Sequence, residues 1–178
     1  MDIRIEASRR RPRSLHIAAR EQVARPPAEV FAFLTERVPE VYGALAPGHE
    51  QFAVEGGGPV RPHAHIDCHE RAGNQEVRHR YVVEAYEPAR HLYYASRPTE
   101  ARIHLKRRTI ESRSDTHVYY DLREHFGTTE LTLTIVIQLP HRLQMLLALA
   151  SGSQALWQAH ARDELAVLRR MIEESRTH

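Results

Sequence analysis

From residue 49 to residue 139 the chain alternates apolar and polar side chains between short turn signals, a pattern that restricts this stretch to antiparallel strands. Gly73-Asn74 suits a two-residue hairpin turn. Folded about it, Ala64 opposes Val83, Ile66 opposes Tyr81 and Cys68 opposes His79. On the other face His65 meets Val82, Asp67 meets Arg80 and His69 meets Arg78. One face is apolar and the other charged, so the register is pinned, because a slip of one residue would exchange them. The loop Glu87-Pro88-Ala89-Arg90 then sets Ala85 against Leu92, Val83 against Tyr94 and Tyr81 against Ser96. A third hairpin at Gly127-Thr128 sets Leu122 against Leu133, Tyr120 against Ile135 and Val118 against Ile137, with Asp121 facing Thr134 outside. Residues 101–112 add a strand joined through Ser114-Asp115; its Ile103, Leu105 and Arg107 share the inward parity of Tyr120, Leu122 and Glu124. The stretch contains about eight strand-like runs.

Helices are predicted on either side. Leu15, Ile17, Ala19 and Val23 alternate with His16, Arg20 and Gln22 as a first strand, which Pro26-Pro27 stops. Pro27 fits a first helical turn, where its missing N–H costs nothing. Val30, Phe31 and Leu34 follow at helical spacing, and a second short helix is expected over Pro39 to Leu45. From Pro140 to about Ser175 the period predicts one long helix, with Leu146, Ala150, Ser153, Trp157, His160, Glu164, Leu168 and Met171 on one stripe. Only the sheet is large enough to receive that stripe, so the fold class is α+β, a curved antiparallel β-sheet wrapped around a long C-terminal α-helix.

The 178 residues allow one domain, assigned to 14–178, while the Arg-rich residues 1–13 read as a solvated tail. A single cysteine excludes a disulfide framework and Cys-rich zinc modules. A net charge of +2 argues against nucleic acid as partner. No apolar run approaches the ~20 residues of a membrane span. No apolar stretch follows the basic N-terminus, so a cytoplasmic location is expected.

Four stretches carry a family resemblance: RPPAEVFAFLTE, YVVEAYEPARHLYYAS, EHFGTTELTLTIVIQLP and AHARDELAVLRRMIEE. Together they cover roughly residues 14 to 175 and resemble the START / Bet v 1-like superfamily, also described as SRPBCC or polyketide cyclase/dehydrase-like proteins. The resemblance implies a helix-grip fold, with two short helices after the first strand and a cavity between sheet and terminal helix. It implies no single activity, because the family includes lipid carriers, aromatase/cyclases and chaperone regulators.

Tyr81, Tyr94, Ser96, Tyr120 and Trp157 point toward that space and are expected to bind a small hydrophobic or aromatic molecule, with Arg107 anchoring a polar group or pairing with Glu124. His160 and Glu164 interrupt the apolar stripe one turn apart, where charged groups need a partner or a purpose. They are the candidate catalytic pair, Glu164 fixing the imidazole for acid–base chemistry. The alternatives to ligand binding are thus a cyclase- or dehydratase-like enzyme and a protein-interaction module of the chaperone-regulator type. Cys68 and His79 form an inward pair that reads as packing. His63, His65, Asp67 and His69 have metal-ligand character but face outward beside Arg78 and Arg80, so no metal is expected. Gly56-Gly57-Gly58-Pro59 reads as a strand connection, and no cofactor motif is present. A homodimer is left open as the assembly.

Overall fold

A computed structural model describes residues 13–105 and 108–175. Residues 1–12, the bulk of the predicted tail, lie outside the described residues, as do 106–107 and 176–178. Strand β1 (Ser14–Val23) leads through Pro26 into α1 (Pro27–Ala32), a π-helical turn (Phe33–Arg37), α2 (Val38–Val41) and a 3-10 turn (Tyr42–Ala44). Pro39 has no N–H to return to the Thr35 carbonyl, which instead accepts a bond from Val60 N at 2.7 Å, and the helix loosens there so that Val38 N bonds Phe33 O.

The remaining strands are β2 (His49–Val54), β3 (His65–Ala72), β4 (Gln75–Glu87), β5 (His91–Leu105), β6 (Arg108–His125) and β7 (Thr128–Gln138). All pair antiparallel, in the order β1-β7-β6-β5-β4-β3-β2. The β3–β4 hairpin has the expected register throughout. In β4–β5 the Tyr81–Ser96 and Val83–Tyr94 pairs stand, but a bulge after Val83 sets Ala85 against Tyr93 rather than Leu92.

Six strands, β2–β7, occupy the stretch where about eight runs were predicted, and β1 makes the sheet seven-stranded. A bulge between Ser96 and Thr99 takes Pro98, which has no N–H for the ladder, out of register, and β5 continues through it as one strand. Ser114 and Asp115 lie inside β6, not in a turn. The last hairpin turns on Phe126-Gly127, both at positive φ (49° and 77°), and not on Gly127-Thr128. Leu122 therefore pairs Leu131, Tyr120 pairs Leu133, Val118 pairs Ile135 and Asp121 pairs Thr132. The offset is two residues, so every side chain keeps its predicted face. Glu124, expected to face inward, is exposed near the far end of β6 from Arg108; its expected partner Arg107 lies outside the described residues.

The predicted terminal helix is two helices, α3 (Arg142–Ala150) and α4 (Ser153–Glu174), broken where Gly152 adopts φ 70°. The break turns the start of the stripe away, leaving Leu146 63% exposed and Ala150 exposed, while Ser153, Trp157, Glu164 and Leu168 are buried. From α4, Ala161, Leu165, Leu168 and Ile172 fill the core against Ile17, Val23, Leu131 and Leu133. Gln158 lies along edge strand β1, accepting from Ala18 N (3.2 Å) and donating to Ala18 O. An edge that would otherwise recruit another strand is thereby covered. Among the described residues no helix is long and apolar enough to cross a membrane.

Candidate functional site

Beyond Trp157 the core is not filled. A cavity of about 140 Å³ remains between the sheet, α4 and α3. Its walls are largely apolar: Val77, Tyr81, Tyr94, Val118 and Tyr120 from the sheet face, Trp157 from α4, and Leu147 and Ala148 from α3. The tyrosines arrive there because they occupy one parity of β4, β5 and β6. Tyr81 meets Tyr94 edge-on at 4.9 Å, and Tyr94 lies 6.1 Å from Tyr120. Trp157 is oriented by a buried relay, its Nε1 donating to Gln75 Oε1 (2.8 Å) and Gln75 Nε2 donating to Ser153 Oγ (2.7 Å). At the α3 end, Gln144 Oε1 is buried with no hydrogen-bond partner among the described residues.

The opposite end is polar. Glu70 and Glu164 line the cavity, and two imidazoles adjoin them: His49 Nε2 stands 2.9 Å from His160 Nε2 and 3.9 Å from Glu164 Oε2. The Tyr42 carbonyl, 3.2 Å from His49 Nδ1, can only accept, so Nδ1 carries the proton and His49 Nε2 presents a lone pair. His160 Nε2 is then the donor between the rings. Tyr42 also stacks on His49 at 4.1 Å and donates its hydroxyl to Glu70 Oε1, which accepts from the Cys68 thiol as well (3.1 Å). Tyr120 donates to Glu164 Oε1 at 3.2 Å.

Burial and the nearby Glu70 charge push the Glu164 carboxyl up to about 8. Burial alone would raise Glu70 too, but His79, His49 and the bonds from Tyr42 and Cys68 outweigh it and hold Glu70 below the usual carboxylate range. Glu70 is thus the ionised member of the pair and Glu164 the protonated one. Burial lowers His49 and pulls His79 down to about 4, so both imidazoles are neutral near pH 7. Burial pushes the Cys68 thiol well up, which opposes an activated thiolate.

Of the predicted residues, Tyr81, Tyr94, Tyr120, Trp157 and Glu164 line the cavity. His160 joins Glu164, but its ring bonds His49 rather than being fixed by Glu164. Ser96 is not brought to the cavity: its hydroxyl accepts from Arg80 N (3.1 Å) and donates to Pro98 O (3.2 Å) within the β5 bulge. His63, His65 and Asp67 are exposed, and His69 is held between Glu50 and Glu76. The Gly56–Gly58 segment is exposed and is not part of the cavity wall.

His49 and Glu70 are the site residues that the sequence reading missed. Glu70 shares the parity of Ile66, Cys68 and Ala72, so a carboxylate on the apolar face of β3 was a signal available in the register. His49 depends on Gly48, whose φ of 95° brings the chain so close that an added Cβ would lie 2.0 Å from Arg71 O.

The chain matches no protein-family model and no curated protein. Its structure superposes on the di-domain ARO/CYC BexL with a TM-score of 0.62 at 12% identity, over 93% of this chain and 52% of that one. It superposes on Ara h 8.0201 with a TM-score of 0.55 at 10% identity, over 91% and 99%. For ginseng major latex-like protein 151 from Panax ginseng the values are 0.54, 9%, 83% and 98%. The chain shares the helix-grip fold of these structures. At these identities the likeness extends to the fold alone. Within this helix-grip fold the cavity sits between sheet and terminal helices, and the two-histidine, two-carboxyl floor is described by this chain's own residues.

Proposed function

We propose that this helix-grip protein binds a small aromatic or hydrophobic molecule in the cavity, its apolar body against Tyr81, Tyr94, Tyr120 and Trp157 and its polar groups at the two ends. The observation that carries this reading is the cavity itself, apolar along its walls and polar at both ends. An empty space of about 150 Å³ holds one benzene ring, so about 140 Å³ suits one ring of about that size. Gln144 Oε1, buried and without a partner among the described residues, asks for a hydroxyl or amino group on that ring. A larger ligand requires α3 to move.

Titration with phenol, followed through the emission of Trp157, tests the reading, since this is the chain's one tryptophan. One equivalent should bind, and Val118→Phe, which fills the space, should abolish binding. Unchanged Trp157 emission at saturating phenol, together with equal uptake by the filled variant, would refute it.

A second reading is favoured by the clustering of His160, Glu164, His49 and Glu70 at a cavity wall: a cyclase- or dehydratase-like enzyme in which His160 and Glu164 transfer protons. The superposition on ARO/CYC di-domain proteins is consistent with it. Turnover of an aromatisable substrate that survives His160→Gln and Glu164→Gln with an unchanged pH profile would remove it.

A further inference from the structure

We propose that His49, His160 and Glu164, with Glu70 at the fourth position, form a binding site for one divalent transition-metal ion of the zinc type at the polar end of the cavity. One ligand atom from each of the first three lies within 4.8 Å of the other two. A tetrahedral ion with bonds of about 2.0–2.1 Å places its ligand atoms roughly 3.4 Å apart. Three of the six separations bracket that value: 2.9 Å between the two Nε2 atoms, 3.9 Å from His49 Nε2 to Glu164 Oε2 and 4.0 Å from His160 Nε2 to Glu70 Oε2. Side-chain movement, that of Glu70 included, would close the set.

The surroundings are those a metal centre needs. A ligating imidazole is commonly held by a bond from its other nitrogen, which sets the tautomer. His49 has that bond, from Nδ1–H to the Tyr42 carbonyl, and its Nε2 lone pair faces the cluster. Each carboxyl is held through one oxygen by a tyrosine hydroxyl, Glu70 by Tyr42 and Glu164 by Tyr120, leaving the second oxygen toward the imidazoles. The charge count favours a dication: two imidazoles and two carboxyl groups share one buried space, and a +2 ion that displaces the protons on its ligand atoms balances two carboxylates. The identity of the donors narrows the metal. Two imidazoles disfavour magnesium and calcium, which take oxygen ligands, and the lack of a thiolate ligand disfavours the softer ions. Glu70 and Glu164 line the cavity, so an ion reaches the site through it. Metal uptake does not depend on what fills the apolar part, so a cavity that takes no aromatic ligand leaves this proposal standing.

The probe is Co²⁺ alone, added to the full chain stripped with chelator, with Zn²⁺ as competitor. One equivalent should bind with the visible absorption of a tetrahedral Co²⁺ centre, and Zn²⁺ should displace it. His49→Ala and Glu164→Gln should each weaken binding by about 100-fold or more, and Tyr42→Phe by about tenfold, as expected for loss of a supporting bond. A variant lacking His63, His65 and His69 should bind as the wild type does. Glu164→Gln preserves side-chain shape, so it decides the matter should His49→Ala fail to fold. The proposal is overturned by the absence of stoichiometric uptake, or by uptake that Glu164→Gln leaves intact and the outer-face variant removes.

Discussion

Trp157 is only 7% exposed, and its indole N–H is satisfied by Gln75, so the ring is placed by a hydrogen bond as well as by packing. Trp157→Phe would strand Gln75 Oε1 in the core. The expected cost is about 1–3 kcal/mol, read by urea denaturation, and a smaller loss in the double variant Gln75→Leu/Trp157→Phe would show that the unpaired oxygen is the cause. His79 offers a pH test. Burial pulls its imidazole from the usual 6.5 to about 4, and Nδ1 bonds Thr99. A depressed histidine contributes stability that is present above pH 6.5 and is lost as the pH falls through about 4. Relative to His79→Gln, the wild type should lose up to about 3 kcal/mol across that window, measured as urea midpoints at several pH values. At this scale legibility depended on contrast. His160 and Glu164 stood out because they break an apolar stripe, whereas His49 opens a strand whose position rests on a backbone approach at Gly48. Glu70 was readable from strand parity, yet its role appears only once Tyr42 is seen to reach it.

Between strands, the hairpin at Gly73-Asn74 was legible throughout because polar–apolar contrast and turn chemistry point to one register. The β6–β7 hairpin was displaced by two residues because a phenylalanine occupies a left-handed turn position, where Asn or Gly is the usual signal. Phe126 is 94% exposed, with the neighbouring His125 ring edge-on at 4.7 Å. Phe126→Asn should therefore raise stability by about 0.5–1 kcal/mol, measured by thermal unfolding, and a lower midpoint would contradict this account of the turn. The division of the terminal helix escaped the helical period for a similar reason. The glycine at 152 carries no hydrophobicity signal, and the stripe runs through it without interruption. Gly152→Ala, with nothing within 4 Å of the added Cβ, should cost about 1 kcal/mol through its positive φ alone. Gly152→Asn should cost less by the same denaturation assay.

Across the whole molecule the packing is uneven. Below Trp157 the sheet and α4 share a filled core, and above it α3 roofs Ala101, Ile103 and Ile110 across an open space. Leu143, Leu146 and Leu149 of that short helix face outward, so α3 contributes few buried apolar groups. Enlarging the space from this side should be cheap. Leu147→Ala is expected to cost less than 1 kcal/mol by urea denaturation while admitting bulkier aromatic probes in the Trp157 emission assay, whereas Leu165→Ala in α4 should cost about 2–5 kcal/mol. The architecture was legible in outline because alternation and helical period survive in the sequence, while the cavity's volume is set by where packing stops, which no periodicity records. The consequence of the kink at Gly152 is that tenancy and rigidity are assigned to separate pieces of chain. Nine residues of roof can drift in sequence and redefine what is admitted, and the load of holding the protein together stays with the twenty-two residues beyond them.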